Sequence, residues 1–189
     1  MFTSGDGDLG LLDGKVVSIL GYGNQGAAWA QNLRDSGVKV VVGSVRDRSH
    51  ERAVADGFDT RDVPAAVKAA AFHMLLVPDE IMPELFERDV RPHLKPGDAI
   101  VVASGYNISY KLLNYPDTVD VLMIAPRMIG TGVRSTYVDG TGFPSRVAVQ
   151  QDANGHGQAS MLALSKAVGT LKRGAFGIFQ PSAEAEEVE

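Results

Sequence analysis

The chain alternates short apolar runs with stretches whose apolar residues recur at helical spacing. Val16–Leu20 is such a run, and it meets a glycine-rich turn, Gly21-Tyr22-Gly23-Asn24-Gln25-Gly26. Apolar positions then fall at Ala27, Ala30 and Leu33, Ser36-Gly37 stops the helix, and a second run occupies 38–42. The pattern reads as strand, tight turn, helix and parallel strand over roughly 30 residues. Later runs at 71–77, 99–103, 119–125 and 146–150 predict four more strands. Helical spacing at 63–70, 80–90 and 158–168 predicts helices, with short strands at 58–60 and 174–179. The expected fold class is α/β: a Rossmann-type, doubly wound, mostly parallel sheet forming a single domain over 9–180. Residues 1–8, small, polar and glycine-rich, and the acidic tail 181–189 are expected to be disordered.

In such a turn each glycine has its own task. Gly21 allows the chain to reverse, Gly23 lets the backbone approach a phosphate, and Gly26 lets the new helix pack on its strand. N–H groups at the helix start then face an anion. Gly21, Tyr22, Gly23, Asn24, Gln25 and Gly26 thus form a candidate cradle for a dinucleotide pyrophosphate, and the strand-turn-helix-strand context separates this reading from an ordinary tight turn. The second strand ends at Gly43-Ser44-Val45-Arg46-Asp47-Arg48-Ser49. There an NAD site places an acidic residue on the ribose, and an NADP site accommodates a 2′-phosphate with arginine. Arg46, Arg48 and Ser49 point to the phosphate, hence to NADPH, because guanidinium forks bind it through paired hydrogen bonds. Asp47 points the other way, as a ribose ligand.

Ligands of parallel sheets lie at the carboxyl ends of the strands. The run at 71–77 ends in Val77-Pro78-Asp79-Glu80, the next in Ser104-Gly105-Tyr106-Asn107, and the one after in Pro126-Arg127. Val77, Pro78, Ser104 and Gly105 are expected beside the cofactor. Asp79, Glu80, Ser104, Tyr106 and Arg127 are the candidate catalytic residues: carboxylates for acid–base work, a hydroxyl and a phenol as donors with an amide nearby, and one cation at the mouth. The competing structural roles are helix caps for Asp79 and Glu80 and a backbone-bonded turn for Ser104. The first turn of the helix after the second strand is assigned a cap at Ser49 or His50. His50, His73, His93 and His156 each stand alone and read as exposed residues at helix starts, so no metal site is expected.

Composition narrows the classes. The 189 residues carry 18 basic and 23 acidic side chains, a net charge of −5, which removes any general electrostatic case for nucleic acid or an anionic membrane. Without cysteine there is no disulfide framework or thiolate chemistry. No run is long enough to span a bilayer, and the first residues lack the features of a secretion signal. A cytoplasmic protein acting on a small-molecule substrate is the expectation. A lone dinucleotide domain leaves one side of a nicotinamide open to water, which predicts a homodimer or larger homo-oligomer.

Several motifs in order carry a resemblance: Leu12-Asp13-Gly14-Lys15, the glycine turn, Asn32-Leu33-Arg34-Asp35-Ser36-Gly37, Leu76-Val77-Pro78-Asp79-Glu80, Leu94-Lys95-Pro96-Gly97 and Val149-Gln150-Gln151-Asp152-Ala153. In these the chain resembles the N-terminal, NADPH-binding domain of the ketol-acid reductoisomerase family. Two departures stand out. Ser104 occupies the place of the family's histidine before Gly105-Tyr106-Asn107-Ile108, and Arg127 that of the lysine in its Ala-Pro-Lys-Gly-Pro-Gly turn, here Ala125-Pro126-Arg127-Met128-Ile129-Gly130. The resemblance further implies that the family's helical C-terminal domain, which supplies carboxylates for two magnesium ions, begins about where this chain stops. The metal-dependent isomerase step is then not expected, since alkyl migration needs the substrate oxygens polarised, whereas hydride transfer remains within reach. The expectation is an NADPH-dependent reductase of a small C=N (imine) or C=O substrate. Its rivals are a non-catalytic NADPH-binding module and the N-terminal half of a truncated or split reductoisomerase.

Overall fold

The structure, a computed structural model, describes residues 1–178. One eight-stranded sheet runs in the order β3-β2-β1-β4-β5-β6-β7-β8. The strands are β1 (Val16–Leu20), β2 (Lys39–Gly43), β3 (Asp59–Arg61), β4 (Phe72–Leu75), β5 (Ala99–Val102), β6 (Asp120–Pro126), β7 (Ser145–Gln151) and β8 (Ala175–Gly177). Pairing from β3 across to β6 is parallel; β7 runs antiparallel to β6, and β8 parallel to β7. The helices are α1 (Asn24–Asp35), α2 (Arg48–Ala55), α3 (Val63–Lys68), α4 (Met82–Leu85), α5 (Tyr106–Ser109), α6 (Gly130–Val138) and α7 (Gly157–Val168). The order reverses between β1 and β4. At such a switch point the loops after neighbouring strands diverge and leave a crevice at their carboxyl ends.

The alternation of strand side chains divides the core in two. Val17, Ile19, Met74, Val101 and Leu122 join Trp29, Leu33, Val133 and Leu164 on one face. Leu20, Leu75, Ile100, Val102 and Met123 join Val67, Phe86 and Val90 on the other. Both faces of the central strands are thereby apolar, which is why β4 and β5 read as unbroken hydrophobic runs.

Several expectations are corrected here. Residues 1–8, expected to be disordered, lie against the edge of the sheet: Phe2 and Ala175 exchange backbone hydrogen bonds of 2.8 and 2.9 Å, satisfying groups that the edge strand β8 would otherwise leave open. Lys166 Nζ donates to the Gly7 carbonyl at 2.9 Å, and Asp8 caps the turn Leu9–Leu12. His73 is not an exposed helix-start residue; it lies on β4, fully buried, with Nδ1 2.9 Å from Ser18 Oγ and Nε2 3.2 Å from Asp98 Oδ2. A buried imidazole needs both ring nitrogens paired, and these two groups supply that. The helix expected at 80–90 starts only at Met82 and widens into a π turn over Phe86–Val90, with Phe86 and Val90 both buried. α2 is capped by Asp47 rather than by Ser49 or His50. The acidic tail 181–189 lies outside the described residues.

Candidate functional site

The glycine turn is built as its spacing requires. Gly21 has φ +98°, and a side chain there would meet Val77 Cγ1 at 2.8 Å and the Leu76 carbonyl oxygen at 2.9 Å. A side chain on Gly26 would land on the Gly21 carbonyl, so α1 can sit this close to β1 only with glycine at that place. Gly23 differs: nothing lies within 4 Å of where its Cβ would be, and no side chain caps α1. The result is open space in front of uncapped helix N–H groups, the arrangement that holds an anion.

The other residues of the turn divide their roles. Tyr22 is 1 % exposed, its ring 5.7 Å from that of Phe58, and its hydroxyl donates to Asp56 at 2.8 Å. Burial, and after it the bond to Asp56, pushes its ionisation up to about 12, so the phenol is committed to packing. Gln25 Nε2 donates to the Met128 carbonyl at 2.8 Å, while its Oε1 is buried with no partner. Asn24 carries the carbonyl onto which a side chain at Gly130 would fall. The segment after β6 is thus seated on the first turn of α1.

At the end of β2, Gly21, Gly23, Ser44, Asp47, Ser49 and Val77 are among the residues lining a cleft of about 240 Å³. Asp47 Oδ1 accepts from the Ser49 hydroxyl at 2.6 Å, the Ser49 N–H at 2.9 Å and the His50 N–H at 3.1 Å. These bonds, the Ser49 hydroxyl first, hold its carboxyl below the usual range. Arg46 lines an adjoining cavity of about 500 Å³ with Ser44, His50 and Arg61. Arg48 opens α2, exposed, and lines neither space. The four candidates of this loop are therefore split: Asp47 and Ser49 at the cleft, Arg46 beyond it, Arg48 outside.

Across the switch point, Gln25, Val77, Pro78, Asp79, Ser104 and Pro126 border a recess of about 270 Å³. Asp79 is its polar centre. Oδ2 accepts from the Ser104 hydroxyl at 3.2 Å and Oδ1 from Asn107 Nδ2 at 2.9 Å. Ser104 Oγ in turn accepts the Tyr106 N–H at 3.2 Å, so the loop from Ser104 through Gly105 folds around the carboxylate. Asn107, noted in the sequence only as a nearby amide, is fully buried and joins this cluster; its place in the Gly-Tyr-Asn-Ile run was the available signal. Tyr106 is half exposed, its ring 4.8 Å from that of Tyr110. Glu80 is exposed and makes none of these contacts. The Arg127 N–H donates to the Pro144 carbonyl at 2.9 Å, and its side chain is half-buried just after β6. Among the described residues no three His, Asp or Glu side chains are grouped to hold a metal, and no helix is long and apolar enough to cross a membrane.

The comparisons with known proteins agree with this geometry. Residues 11–174 match the family model described as acetohydroxy acid isomeroreductase, NADPH-binding domain. The chain belongs to this family. A ketol-acid reductoisomerase (NADP(+)) of Caldivirga maquilingensis is 41 % identical over 174 residues, which are 92 % of this chain and 53 % of that protein. The chain therefore spans about half the length of this curated relative. An NADH-preferring ketol-acid reductoisomerase from an uncultured archaeon superposes with a TM-score of 0.93 at 35 % identity, over 98 % of this chain and 57 % of that one. An imine reductase from Bacillus cereus shares the fold alone, with a TM-score of 0.65 at 18 % identity over 91 % of this chain and 57 % of that one. Rossmann architecture and the family's dinucleotide-binding domain are thus properties of this chain.

Proposed function

We propose that the protein is an NADPH-dependent reductase of a small C=N or C=O substrate. The observation that carries the reading is the carboxylate of Asp79, held by Ser104 and Asn107 in the recess at the carboxyl ends of β4 and β5. The cleft suits the cofactor: the space before Gly23, the uncapped start of α1 and the unpaired Gln25 Oε1 leave donors and an acceptor for a ligand. Gly21, Gly23 and the first turn of α1 would hold the pyrophosphate, Arg46, Asp47 and Ser49 the ribose end, and Val77, Pro78, Gln25 and Gly105 the nicotinamide end. When bound, NADPH supplies a hydride.

The chain's own groups do the rest. The carboxylate of Asp79, its two oxygens fixed by Ser104 and Asn107, stabilises the positive charge of an imine that has taken its proton from water, and the Ser104 hydroxyl is the donor that a C=O substrate would meet. An imine suits such a site because its protonated form is already electrophilic, without a metal to polarise it. Arg127 is assigned to a substrate carboxylate. The setting is taken as cytoplasmic and the working form as a homodimer, supported by the apolar side chains Ile81, Tyr110 and Ile129 exposed on the loops that surround the recess.

A second reading, the NADPH-binding part of a reductoisomerase that works with a helical metal-binding part, is favoured by the 41 % identity over about half of the Caldivirga maquilingensis relative. One experiment separates them: NADPH consumption by the purified protein with a cyclic imine, a 2-keto acid, and 2-acetolactate plus magnesium. Metal-independent turnover of the imine or keto acid, lost in Asp79→Asn, is the expected result. Turnover of acetolactate, alone or after adding a helical part, supports the second reading, and binding without any turnover points to a non-catalytic module.

A further inference from the structure

We infer that His50 makes the choice between NADPH and NADH depend on protonation. The inference rests on the reading that the cleft takes a nicotinamide dinucleotide, and it concerns a residue that its sequence context presented as an exposed helix start. His50 stands on the first turn of α2, partly buried, its Nδ1 3.1 Å from Ser44 Oγ. Ser44 is 6 % exposed, so this bond fixes the ring against the end of β2. Both residues line the 500 Å³ cavity that continues past the end of the cleft, the side on which the 2′-position of an adenosine ribose would lie.

The charges around this cavity are mostly committed. From β3, Arg61 is tied to Asp59 by bonds of 3.0 and 2.6 Å. From the start of α3, Asp62 accepts the Ala65 N–H at 2.8 Å, and from the π turn Asp89 accepts from Arg88 at 2.8 Å. In the loop before α2, Asp47 is occupied by Ser49 and the His50 N–H, and on α2 Glu51 is exposed. Arg46 has no hydrogen bond or ion pair among the described residues. An anion entering the cavity therefore meets Arg46 and the imidazole of His50 as its uncommitted partners. A neutral imidazole offers at most one N–H, and Ser44 already engages one ring nitrogen; the protonated ring offers two, keeping the bond to Ser44 and adding a charged donor for a phosphate. NADH carries no 2′-phosphate and gains little from that charge, so proton uptake shifts preference towards NADPH.

The test is titration calorimetry of the 189-residue protein with NADP⁺ and NAD⁺, from about pH 6 to about pH 8, comparing the protein with its His50→Gln and His50→Lys variants. The His50→Gln series records the titration of the 2′-phosphate itself, which takes up a proton near pH 6. Relative to that series, the NADP⁺ to NAD⁺ affinity ratio of the unaltered protein should be about five-fold or more higher at the acidic end than at the alkaline end. His50→Lys, with a fixed charge, should keep the ratio high throughout. The same pH dependence in the unaltered protein and in His50→Gln overturns the inference. Failure of either dinucleotide to bind any of the three overturns the reading of the cleft instead.

Discussion

Two glycines three residues apart, Gly23 and Gly26, make opposite demands. Gly23→Ala meets nothing within 4 Å and has no positive φ to strain, so it should fold with an unchanged melting temperature yet bind NADPH about ten-fold more weakly, a loss of ~1.4 kcal/mol. Gly26→Ala drives a methyl into the Gly21 carbonyl and should destabilise the protein itself by about 1–3 kcal/mol. A thermal melt and a fluorescence titration on each variant distinguish the two effects; equal melting temperatures for both would show the packing argument to be wrong. Asp47→Ser keeps a capping oxygen for α2 but removes the carboxylate from the cleft, and should weaken NADH more than NADPH in competitive titrations. Tyr22 gives a pH prediction. Its raised ionisation means that the neutral phenol stabilises the fold fully below about pH 10 and that this contribution is lost as pH rises towards 12. In a spectrophotometric titration a tyrosine phase should appear near pH 12, and that phase should vanish in Tyr22→Phe. The glycines were legible from spacing because a missing Cβ is a local property. The commitments of Tyr22 and Asp47 were not, since each depends on a neighbour that only folding brings: Asp56 for the phenol, and for Asp47 the turn into α2.

Strands and helices were legible wherever burial imposed a period. The five-residue β1 and the apolar β4, β5 and β6 announce themselves because both faces of a central parallel strand are covered. What the period conceals is a polar residue placed inside such a run. Ser18 on β1, His73 on β4 and Asp98 just before β5 form one buried line across the switch point, and Asp98 Oδ2 also accepts the Lys95 N–H at 2.8 Å. Removing one member strands the others without water. Asp98→Ala should therefore cost about 3 kcal/mol or more in urea denaturation, whereas Asp98→Asn, which keeps an acceptor for the ring and the N–H, should cost clearly less. Equal losses would mean that the line contributes only packing. The ends of elements were harder to read. Asp8 and the Phe2 pairing turn an unpromising N-terminal octet into part of the sheet edge, because β8 offers backbone groups that composition cannot reveal.

The assembled molecule brings three loops from three strand ends into one rim, and its exposed apolar residues bear on how it works. If the working form is a dimer built on that rim, Ile129→Glu, at a residue 74 % exposed, should leave the melting temperature within about 2 °C and NADPH binding intact while converting the dimer to monomer in sedimentation velocity. An unchanged mass for that variant, or a monomer before any substitution, removes the rim as the interface. The order of elements, the glycine turn and the family are local facts, written in periodicity, in residues without side chains and in short motifs, and the chain carried them unaided. Which of several candidate polar groups meet is a long-range fact. Asp79, Ser104 and Asn107 converge because β4 and β5 pair in register, Arg46 and Arg48 part company because α2 begins between them, and His50 faces a cavity because Ser44 holds it there. Those distances depend on pairing and packing between segments far apart in the chain, and only the folded structure decides them.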